Sequence, residues 1–320
     1  MATPRSSARS SRASWRAKTS SALESCTLCP RSCKVNRLAG AAGYCTQDAT
    51  VRLARAALHH WEEPPISGDN GSGTVFFSGC SLHCAYCQNQ DISNGSIGRE
   101  VSIERLAQIF LEQQGRGAHN INLVTPPHFA PQIVEALSMA RAQGLKLPVV
   151  CNCSGYESLE ALRIFDGHVD IYLADFKYAF PERAERYSRA SDYPQVASAA
   201  LDEMYRQVGE YREDPQTGLL EKGVVVRHLL LPGGLSDSFA VMRLLAAKPY
   251  ARKICVSLMS QYTPMPGCEQ AFPELAEGID PQDYDALIDY ALDLGLENSF
   301  CQEGEAASES FIPAFDYEGV

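Results

Sequence analysis

The sequence predicts an α/β fold built on a parallel sheet. Six short apolar segments alternate with six segments of helical periodicity, which is the pattern of repeated strand–helix units. Several apolar segments are nearly continuous, as expected for strands that are buried on both faces. A doubly wound sheet and a β/α barrel both fit this alternation. The predicted strands are 74–78, 120–125, 148–153, 169–176, 223–230 and 253–259, and the predicted helices are 102–114, 129–143, 157–165, 194–208, 235–247 and 281–294.

The composition restricts the partners of the chain. The 320 residues include 28 Lys and Arg and 39 Asp and Glu, which gives a formal net charge of −11 at pH 7. An acidic chain argues against general nucleic-acid binding and against docking on anionic lipid. No apolar run approaches 18 residues, so the sequence predicts no transmembrane helix. We therefore expect neither a nucleic-acid partner nor a membrane partner.

Changes in composition divide the chain into four parts. Residues 1–23 carry five basic side chains and no acidic one, which predicts either a disordered basic tail in a cytoplasmic protein or a transit peptide to the mitochondrial matrix. Residues 24–72 are expected to form a cysteine-rich module and a linker, in which 51–73 is a connecting loop. Residues 73–300 contain the strand–helix units, and 301–320 are predicted to be an irregular C-terminal tail.

Three of the twelve cysteines form a compact group, Cys80, Cys84 and Cys87, with the spacing C-x3-C-x2-C. Thiolates favour zinc, copper(I) or iron–sulfur clusters. Three ligands on a four-iron cube would leave one iron open, whereas a zinc site would need a fourth ligand such as His83. Five scattered cysteines are predicted to be small buried apolar residues: Cys151, Cys153, Cys255, Cys268 and Cys301.

The spacing of Cys80, Cys84 and Cys87, with Tyr86 before the last cysteine and the apolar strand Thr74–Phe77 before the first, resembles the signature of the radical S-adenosylmethionine (radical SAM) enzymes. The resemblance implies a partial six-unit (β/α) barrel with the cysteine-rich module at its N-terminus. It also implies a [4Fe-4S] cluster and SAM as cofactors. In that family the cluster cleaves SAM reductively to a 5′-deoxyadenosyl radical, which abstracts hydrogen from a target.

Further motifs are similar to those of proteins that resemble pyruvate formate-lyase activating enzyme: Trp61–Gly68, Phe76–Cys80, Cys87–Asn89, Asp175–Tyr178, Arg227–His228 and Leu231–Gly233. This similarity implies activation of a glycyl-radical enzyme as a protein substrate, with an electron donor such as flavodoxin or ferredoxin. The alternative within the family is modification of a small molecule or of another protein. A contrasting class is a non-catalytic zinc-binding module.

Polar residues at the predicted strand ends are candidates for the SAM site. Because side chains alternate along a strand, Asp175 and Lys177 share one face, and so do Asn152 and Ser154. The resemblance implies that these residues, with the others, contact SAM; the complete predicted set is Tyr86, Thr125, Asn152, Ser154, Asp175, Lys177 and His228. Arg227 lies on the face opposite His228 and is expected to be an outer partner.

Thr125-Pro126-Pro127-His128 stands where many radical SAM enzymes carry a Gly-Gly-Glu stretch that holds the amino group of SAM. This departure affects the expected contact to the amino group and leaves the cysteine motif intact. Thr125 or backbone carbonyl groups are the candidates to replace it.

The first cysteine group, Cys26, Cys29, Cys33 and Cys45, begins with a C-x2-C pair and contains the four thiols that a tetrahedral site needs. Three interpretations remain open from the sequence. The group holds a structural zinc ion, it holds an auxiliary iron–sulfur cluster, or it binds no metal.

Overall fold

The computed structural model describes residues 21–301 and 313–320. Their ten strands form one sheet in the order β10-β9-β8-β6-β5-β4-β2-β1-β3, with β7 paired to β8 at the side. In chain order the strands are β1 (Val51–His59), β2 (Ser72–Phe77), β3 (Arg99–Val101), β4 (Ile121–Val124), β5 (Val149–Cys153), β6 (Ile171–Asp175), β7 (Arg212–Glu213), β8 (Leu220–Leu229), β9 (Cys255–Met259) and β10 (Ser299–Cys301).

Most α-helices connect successive parallel strands. They are α1 (Pro64–Ser67), α2 (Gln90–Ser93), α3 (Ile103–Gly115), α4 (Ala130–Ala142), α5 (Leu159–Phe165), α6 (Pro181–Ser188), α7 (Tyr193–Val208), α8 (Leu235–Ala246), α9 (Cys268–Ala271) and α10 (Pro281–Asp293). Several ends follow directly from the sequence. Ser102 and Ser158 accept the free amides at the starts of α3 and α5 through their hydroxyl groups.

The predicted α/β class is confirmed. Neighbouring strands from β2 through β4, β5, β6, β8 and β9 to β10 are all parallel, and only β1, β3 and β7 pair antiparallel. All six predicted strands and all six predicted long helices are present, with ends displaced by a few residues. The main apolar core lies between the sheet and the helices, and a smaller cluster around Ile66, Val150, Leu173 and Val225 covers the inner face.

Residues 51–73 differ from the connecting loop that the sequence predicts. Residues 51–59 form β1, which pairs with β2 along six positions and extends the sheet beyond its parallel part. The segment Val51-Arg-Leu-Ala-Arg-Ala-Ala-Leu58 is rich in alanine and arginine, whose weak strand preference concealed the strand. After β1 the chain turns inward, and Ile66 of α1 packs against the inner apolar cluster.

The two ends of the chain follow the predicted boundaries only in part. Residues 1–20 lie outside the described residues, so most of the predicted basic tail is not represented. Ala22 and Leu23 are buried against Leu28 and belong to the folded part. Residues 302–312 of the predicted C-terminal tail also lie outside the described residues.

Residues 313–320 return to the sheet beside β1. Ala56 N donates to Glu318 O at 2.8 Å, and Arg55 pairs with the carboxylates of Asp316 and Glu318. The end of the chain is therefore tied to the antiparallel edge of the sheet. Within the described residues, no helix combines the length and the apolar character needed to cross a membrane.

Candidate functional site

One cavity of about 260 Å³ gathers the polar strand ends. Because the strands are parallel, their carboxyl ends meet at one edge of the sheet, where β/α proteins place their chemistry. The cavity is lined from the cysteine loop after β2 and from the ends of β4, β5, β6, β8 and β9. Its polar lining includes the predicted residues Cys80, Cys84, Cys87, Tyr86, Thr125, Asn152, Ser154, Asp175 and Lys177, together with Glu62 and Arg227.

The cysteine loop begins shortly after β2, at a glycine with a positive φ. Gly79 has a φ of +86°, which glycine adopts without strain. A Cβ atom at this position would lie 2.4 Å from the carbonyl oxygen of Cys45. A side chain at position 79 would therefore collide with the N-terminal cysteine module. His83, in the middle of the loop, also has a positive φ, of 54°.

The three thiols of the loop lie close enough to influence each other. Burial raises the pKa of Cys80 to about 12, with further contributions from Cys84 and Cys87. Burial and Cys84 likewise raise the pKa of Cys87 to about 11. Without a metal, the thiols of Cys80 and Cys87 stay protonated at neutral pH, whereas a bound metal centre would stabilise their thiolates. The donor chemistry therefore fits an iron–sulfur cluster.

Buried hydroxyl groups contact one another and the cysteine loop. Ser188 Oγ lies 3.0 Å from Cys84 Sγ and donates to it. Ser188 Oγ also lies 2.8 Å from Tyr178 Oη, which in turn donates to Tyr86 Oη at 2.8 Å. Ser188 and Tyr178 are fully buried. The network fixes Tyr86 and Cys84 relative to the end of α6.

The carboxylate of Asp175 is held between two cations. Lys177 Nζ donates to Asp175 Oδ2 at 2.6 Å, and Arg227 Nε donates to Asp175 Oδ1 at 2.9 Å. Burial alone would raise the pKa of Asp175, but Lys177 and Arg227 outweigh it and hold that pKa below its usual value. Asp175 is therefore ionised at neutral pH.

Glu62 is a site residue that the sequence analysis missed. It comes from the segment after β1, and its side chain is only 9% exposed. Its Oε1 accepts from Asn122 Nδ2 at 2.9 Å and from Asn152 Nδ2 at 3.2 Å. Burial raises its pKa, although Arg227 opposes this effect. The Trp61–Gly68 motif was the available signal, but nothing in it indicated that residue 62 reaches the cavity.

Thr125 and Ser154 lie at the ends of β4 and β5. Thr125 has a φ of 57° and donates its amide to Asn152 O at 2.8 Å, which fixes the backbone after β4. Ser154 Oγ donates to Glu157 Oε1 at 3.0 Å. His128, at the end of the altered motif, is buried away from the cavity, where its Nε2 lies 2.8 Å from Ser78 O.

The structure does not bring His228 to the cavity. Its ring lies between β8 and α8, where Nδ1 is 2.7 Å from Phe176 O and Nε2 is 2.8 Å from Ser238 Oγ. Burial lowers the pKa of His228 to about 4, so the ring is neutral. Arg227, expected as an outer partner, lines the cavity instead. The alternation along β8 was correct, but the two faces were assigned the wrong way round.

The first cysteine group gathers within one small module. Burial raises the pKa of Cys29 to about 12, and Cys45, Cys26 and Cys33 raise it further. A Cβ at Gly43 would lie 2.8 Å from Cys33 Sγ and 3.9 Å from Cys45 Sγ, so both sulfur atoms face the same backbone. The zinc and cluster predictions for this group both remain predictions.

Across residues 21–301 and 313–320, no three His, Cys, Asp or Glu side chains are arranged to hold a single metal ion. This holds for both cysteine groups.

Two arginines connect the module to the cysteine loop. Arg31 Nε donates to Ser81 O at 2.9 Å and its Nη2 donates to Ser188 O at 2.9 Å. Arg37 is only 1% exposed, and it donates to the carbonyl oxygens of Asp48 and His128. The module is therefore attached to the cysteine loop, to the end of α6 and to the segment after β4.

The comparisons with known proteins agree with this site. A family model described as the radical SAM superfamily matches residues 74–207, which include the cysteine loop and Asp175–Lys177. Residues 74–207 are thus similar to the radical SAM superfamily. This match supports an enzyme, and the matched family implies a [4Fe-4S] cluster and SAM as cofactors, as the sequence predicts. The predicted alternative of a non-catalytic zinc-binding module is not retained.

Two curated relatives are each 27% identical to this chain over the aligned residues. An uncharacterized protein of Methanocaldococcus jannaschii aligns over 220 residues, which are 67% of this chain and 59% of that protein. Pyruvate formate-lyase-activating enzyme of Clostridium pasteurianum aligns over 121 residues, which are 35% of this chain and 48% of that enzyme. The alignments thus span about half to three fifths of the relatives' own lengths.

Two solved structures are also similar to this chain. A domain of pyruvate-formate lyase-activating enzyme from Bacteroides vulgatus has a TM-score of 0.37 at 12% identity, covering 54% of this chain and 91% of that one. Streptococcus suis SuiB bound to precursor peptide SuiA has a TM-score of 0.45 at 10% identity, covering 71% of this chain and 47% of that one.

Proposed function

We propose that Cys80, Cys84 and Cys87 hold a [4Fe-4S] cluster and that SAM binds beside it in the cavity at the carboxyl ends of the strands. The observation that carries the proposal is that the three thiols and the Asp175–Lys177 pair line the same cavity. When bound, the cluster supplies the electron that cleaves SAM reductively, so that a hydrogen atom is removed from a target. The protein's own residues bind and orient SAM and exclude water.

The charges of the cavity suit SAM, which carries a carboxylate, an ammonium group and a sulfonium. Lys177 offers a cation to the carboxylate, while Asp175 offers an anion to a positive group. A buried ion pair contributes little to stability by itself because its desolvation offsets the attraction. The presence of the Asp175–Lys177 pair beside the thiols is therefore better explained by binding of a charged ligand than by stability. Tyr86, Thr125, Asn152 and Ser154 complete the proposed contacts.

Glu62 provides the carboxylate that the altered motif after β4 lacks. In place of a Gly-Gly-Glu stretch the chain has Thr125-Pro126-Pro127-His128, and His128 is turned away. Glu62 reaches the cavity from a different segment and is fixed by two asparagine amides. We assign it to the ammonium group of SAM. Burial raises the pKa of Glu62, and the positive charge of a bound ammonium group would oppose that effect.

The proposed target is a glycine of a partner protein, with a reductant such as flavodoxin or ferredoxin supplying the electron. The support is the alignment with a protein named pyruvate formate-lyase-activating enzyme. Modification of a small molecule or of another protein is the second candidate. The two differ in one measurement: glycine activation leaves a stable protein radical that electron paramagnetic resonance (EPR) detects on a glycyl-radical enzyme from the same organism.

We also propose that Cys26, Cys29, Cys33 and Cys45 hold a metal. The guanidinium of Arg37 is buried with carbonyl oxygens as its hydrogen-bond partners, and its Nη1 lies 3.9 Å from Cys26 Sγ. A buried cation is costly without a negative partner. Thiolates on a metal would supply that charge. Metal analysis of the reconstituted protein, with the Cys29→Ser variant as reference, distinguishes zinc from additional iron and sulfide.

The test of the main proposal is anaerobic. The full chain is reconstituted with iron and sulfide, reduced with dithionite and given SAM, and 5′-deoxyadenosine is quantified. We expect product from the wild type and from Cys268→Ala, a buried cysteine that does not line the cavity, and none from Cys84→Ala. Product from Cys84→Ala would overturn the ligand assignment. If the cluster-loaded wild type forms no product, a SAM titration decides, and absence of binding contradicts the proposal.

A further inference from the structure

A second cavity, of about 840 Å³, adjoins the first. It lies between the segment 60–69 and the edge of the sheet formed by β9 and β10. Five residues line both cavities: Trp61, Glu62, Arg227, Met259 and Gln261. The two cavities therefore adjoin at these five side chains. Hydrogen abstraction needs direct contact, so a target anchored in the second cavity would extend its reacting C–H bond past them into the first.

The second cavity is strongly acidic. Glu62, Glu63, Asp69 and Glu213 line it, whereas Arg227 is its one Lys or Arg among the described lining residues. Arg227 is already engaged, because its Nε donates to Asp175 and its Nη1 lies 3.4 Å from Glu62 Oε2. The cavity consequently has an excess of negative charge that this guanidinium does not neutralise.

Glu63 contributes to the excess negative charge of the second cavity, on the side away from the three thiols. Glu63 lines only the second cavity, whereas Asp175 and Lys177 line only the first. Its Oε2 atom is buried and has no hydrogen-bond partner among the described residues. Burial raises its pKa although Arg227 opposes the rise. An unsatisfied buried carboxylate oxygen is costly, and a donor from a ligand would remove that cost.

Trp61 adds an aromatic surface at the boundary between the cavities. Its side chain is 55% exposed, which is unusual for an indole. Carboxylates beside an aromatic face form a favourable environment for organic cations, which interact with both. We propose that the second cavity binds the target of the reaction through a cationic group, an ammonium or guanidinium, that pairs with Glu63. The inference deepens the proposed function and rests on it.

The binding test uses Trp61 as its own reporter. The chain contains two tryptophans, so Trp15→Phe leaves Trp61 as the single one. Reconstituted full-length protein is titrated with acetyl-Gly-Lys-Gly-amide, and with the norleucine and glutamate analogues as neutral and anionic controls. n-Butylamine is titrated as well, to separate a peptide target from a small amine. We expect the lysine peptide or the amine to bind roughly tenfold more tightly than the neutral analogue.

Glu63→Gln should abolish this preference, whereas Glu221→Gln, at an exposed position outside both cavities, should retain it. Equal affinity for the lysine and norleucine peptides, no response to any probe, or an unchanged preference in Glu63→Gln would overturn the proposal. SAM cleavage is measured on the same samples. If the protein with Glu63 intact cleaves SAM but binds no cationic probe, this inference alone is refuted, whereas absence of SAM binding and cleavage refutes the proposed function.

Discussion

Ser188 Oγ donates a hydrogen bond to Cys84 Sγ over 3.0 Å. The hydroxyl belongs to the last residue of α6, and the sulfur belongs to the loop after β2, 104 residues earlier in the chain. Arg31 of the cysteine module holds the same serine through its carbonyl oxygen. One hydrogen bond therefore connects a proposed cluster ligand to both the barrel helices and the N-terminal module.

Ser188→Ala should lower the midpoint potential of the cluster. Hydrogen bonds to ligand sulfur favour the more negative, reduced state. A contribution of about 1 kcal/mol corresponds to roughly 40 mV for one electron. Potentiometric titration followed by EPR measures this shift. Ser188→Thr keeps the hydroxyl and should retain most of the wild-type potential. An unchanged potential in Ser188→Ala would show that the contact is only structural.

Asp175→Asn should weaken SAM binding by about tenfold or more while iron content stays at the wild-type level. The substitution removes the negative charge that Lys177 and Arg227 enclose, but it keeps the size of the side chain. Equilibrium dialysis with SAM gives the affinity, and iron and sulfide analysis gives the cluster content. Asp285→Asn, at an exposed position of α10, is the matched control. If iron content fell in parallel with SAM affinity, Asp175 would have a structural role instead.

The sequence was sufficient for the features that depend on local pattern. The β-α alternation, the cysteine spacing and the shared face of Asp175 and Lys177 all follow from periodicity along short segments. The structure has the predicted strands and helices and places Lys177 Nζ 2.6 Å from Asp175 Oδ2. The contacts of these residues with a cluster and with SAM stay predictions.

Two kinds of feature could not be predicted from the sequence: those that depend on the register between strands, and those that depend on the path of a long connecting segment. Asp175 pairs in register with Arg227 across β6 and β8, so both residues face the same side. Alternation along β8 alone shows only that Arg227 and His228 differ in face, and it does not show which one faces inward. Glu62 enters the cavity because 60–68 folds across the inner face of the sheet, and no local pattern encodes that path.

Glu157 should make the protein less stable as the pH rises. Burial raises its pKa from 4.5 to about 7, although Ser154 donates two hydrogen bonds to it. In this window the folded state binds more protons than the unfolded state, so the free energy of unfolding falls between about pH 4.5 and pH 7 and stays low above it. The pKa shift of Glu157 corresponds to a loss of about 3 kcal/mol in the free energy of unfolding across this window.

Melting temperatures from pH 5 to pH 8 test this expectation for Glu157. The Glu157→Gln variant keeps an acceptor for Ser154 but does not titrate, so its melting temperature should fall less than that of the wild type across the window. Glu160→Gln, an exposed position on the first turn of α5, should retain the wild-type pH dependence. Parallel pH profiles for the wild type and Glu157→Gln would contradict the assignment.

Gly79→Ala should disrupt the contact between the cysteine loop and Cys45 of the N-terminal module. The new Cβ would meet Cys45 O at 2.4 Å, and the φ of +86° is strained for alanine, so both the contact and the backbone must shift. We expect a lower melting temperature and loss of iron from Cys80, Cys84 and Cys87. Gly144→Ala is the matched control, because its φ of +107° is also positive but a Cβ there has no atom within 4 Å. If both variants lost stability equally and kept their iron, the backbone alone would account for the effect, and the contact between the module and the loop would have no role in holding the cluster.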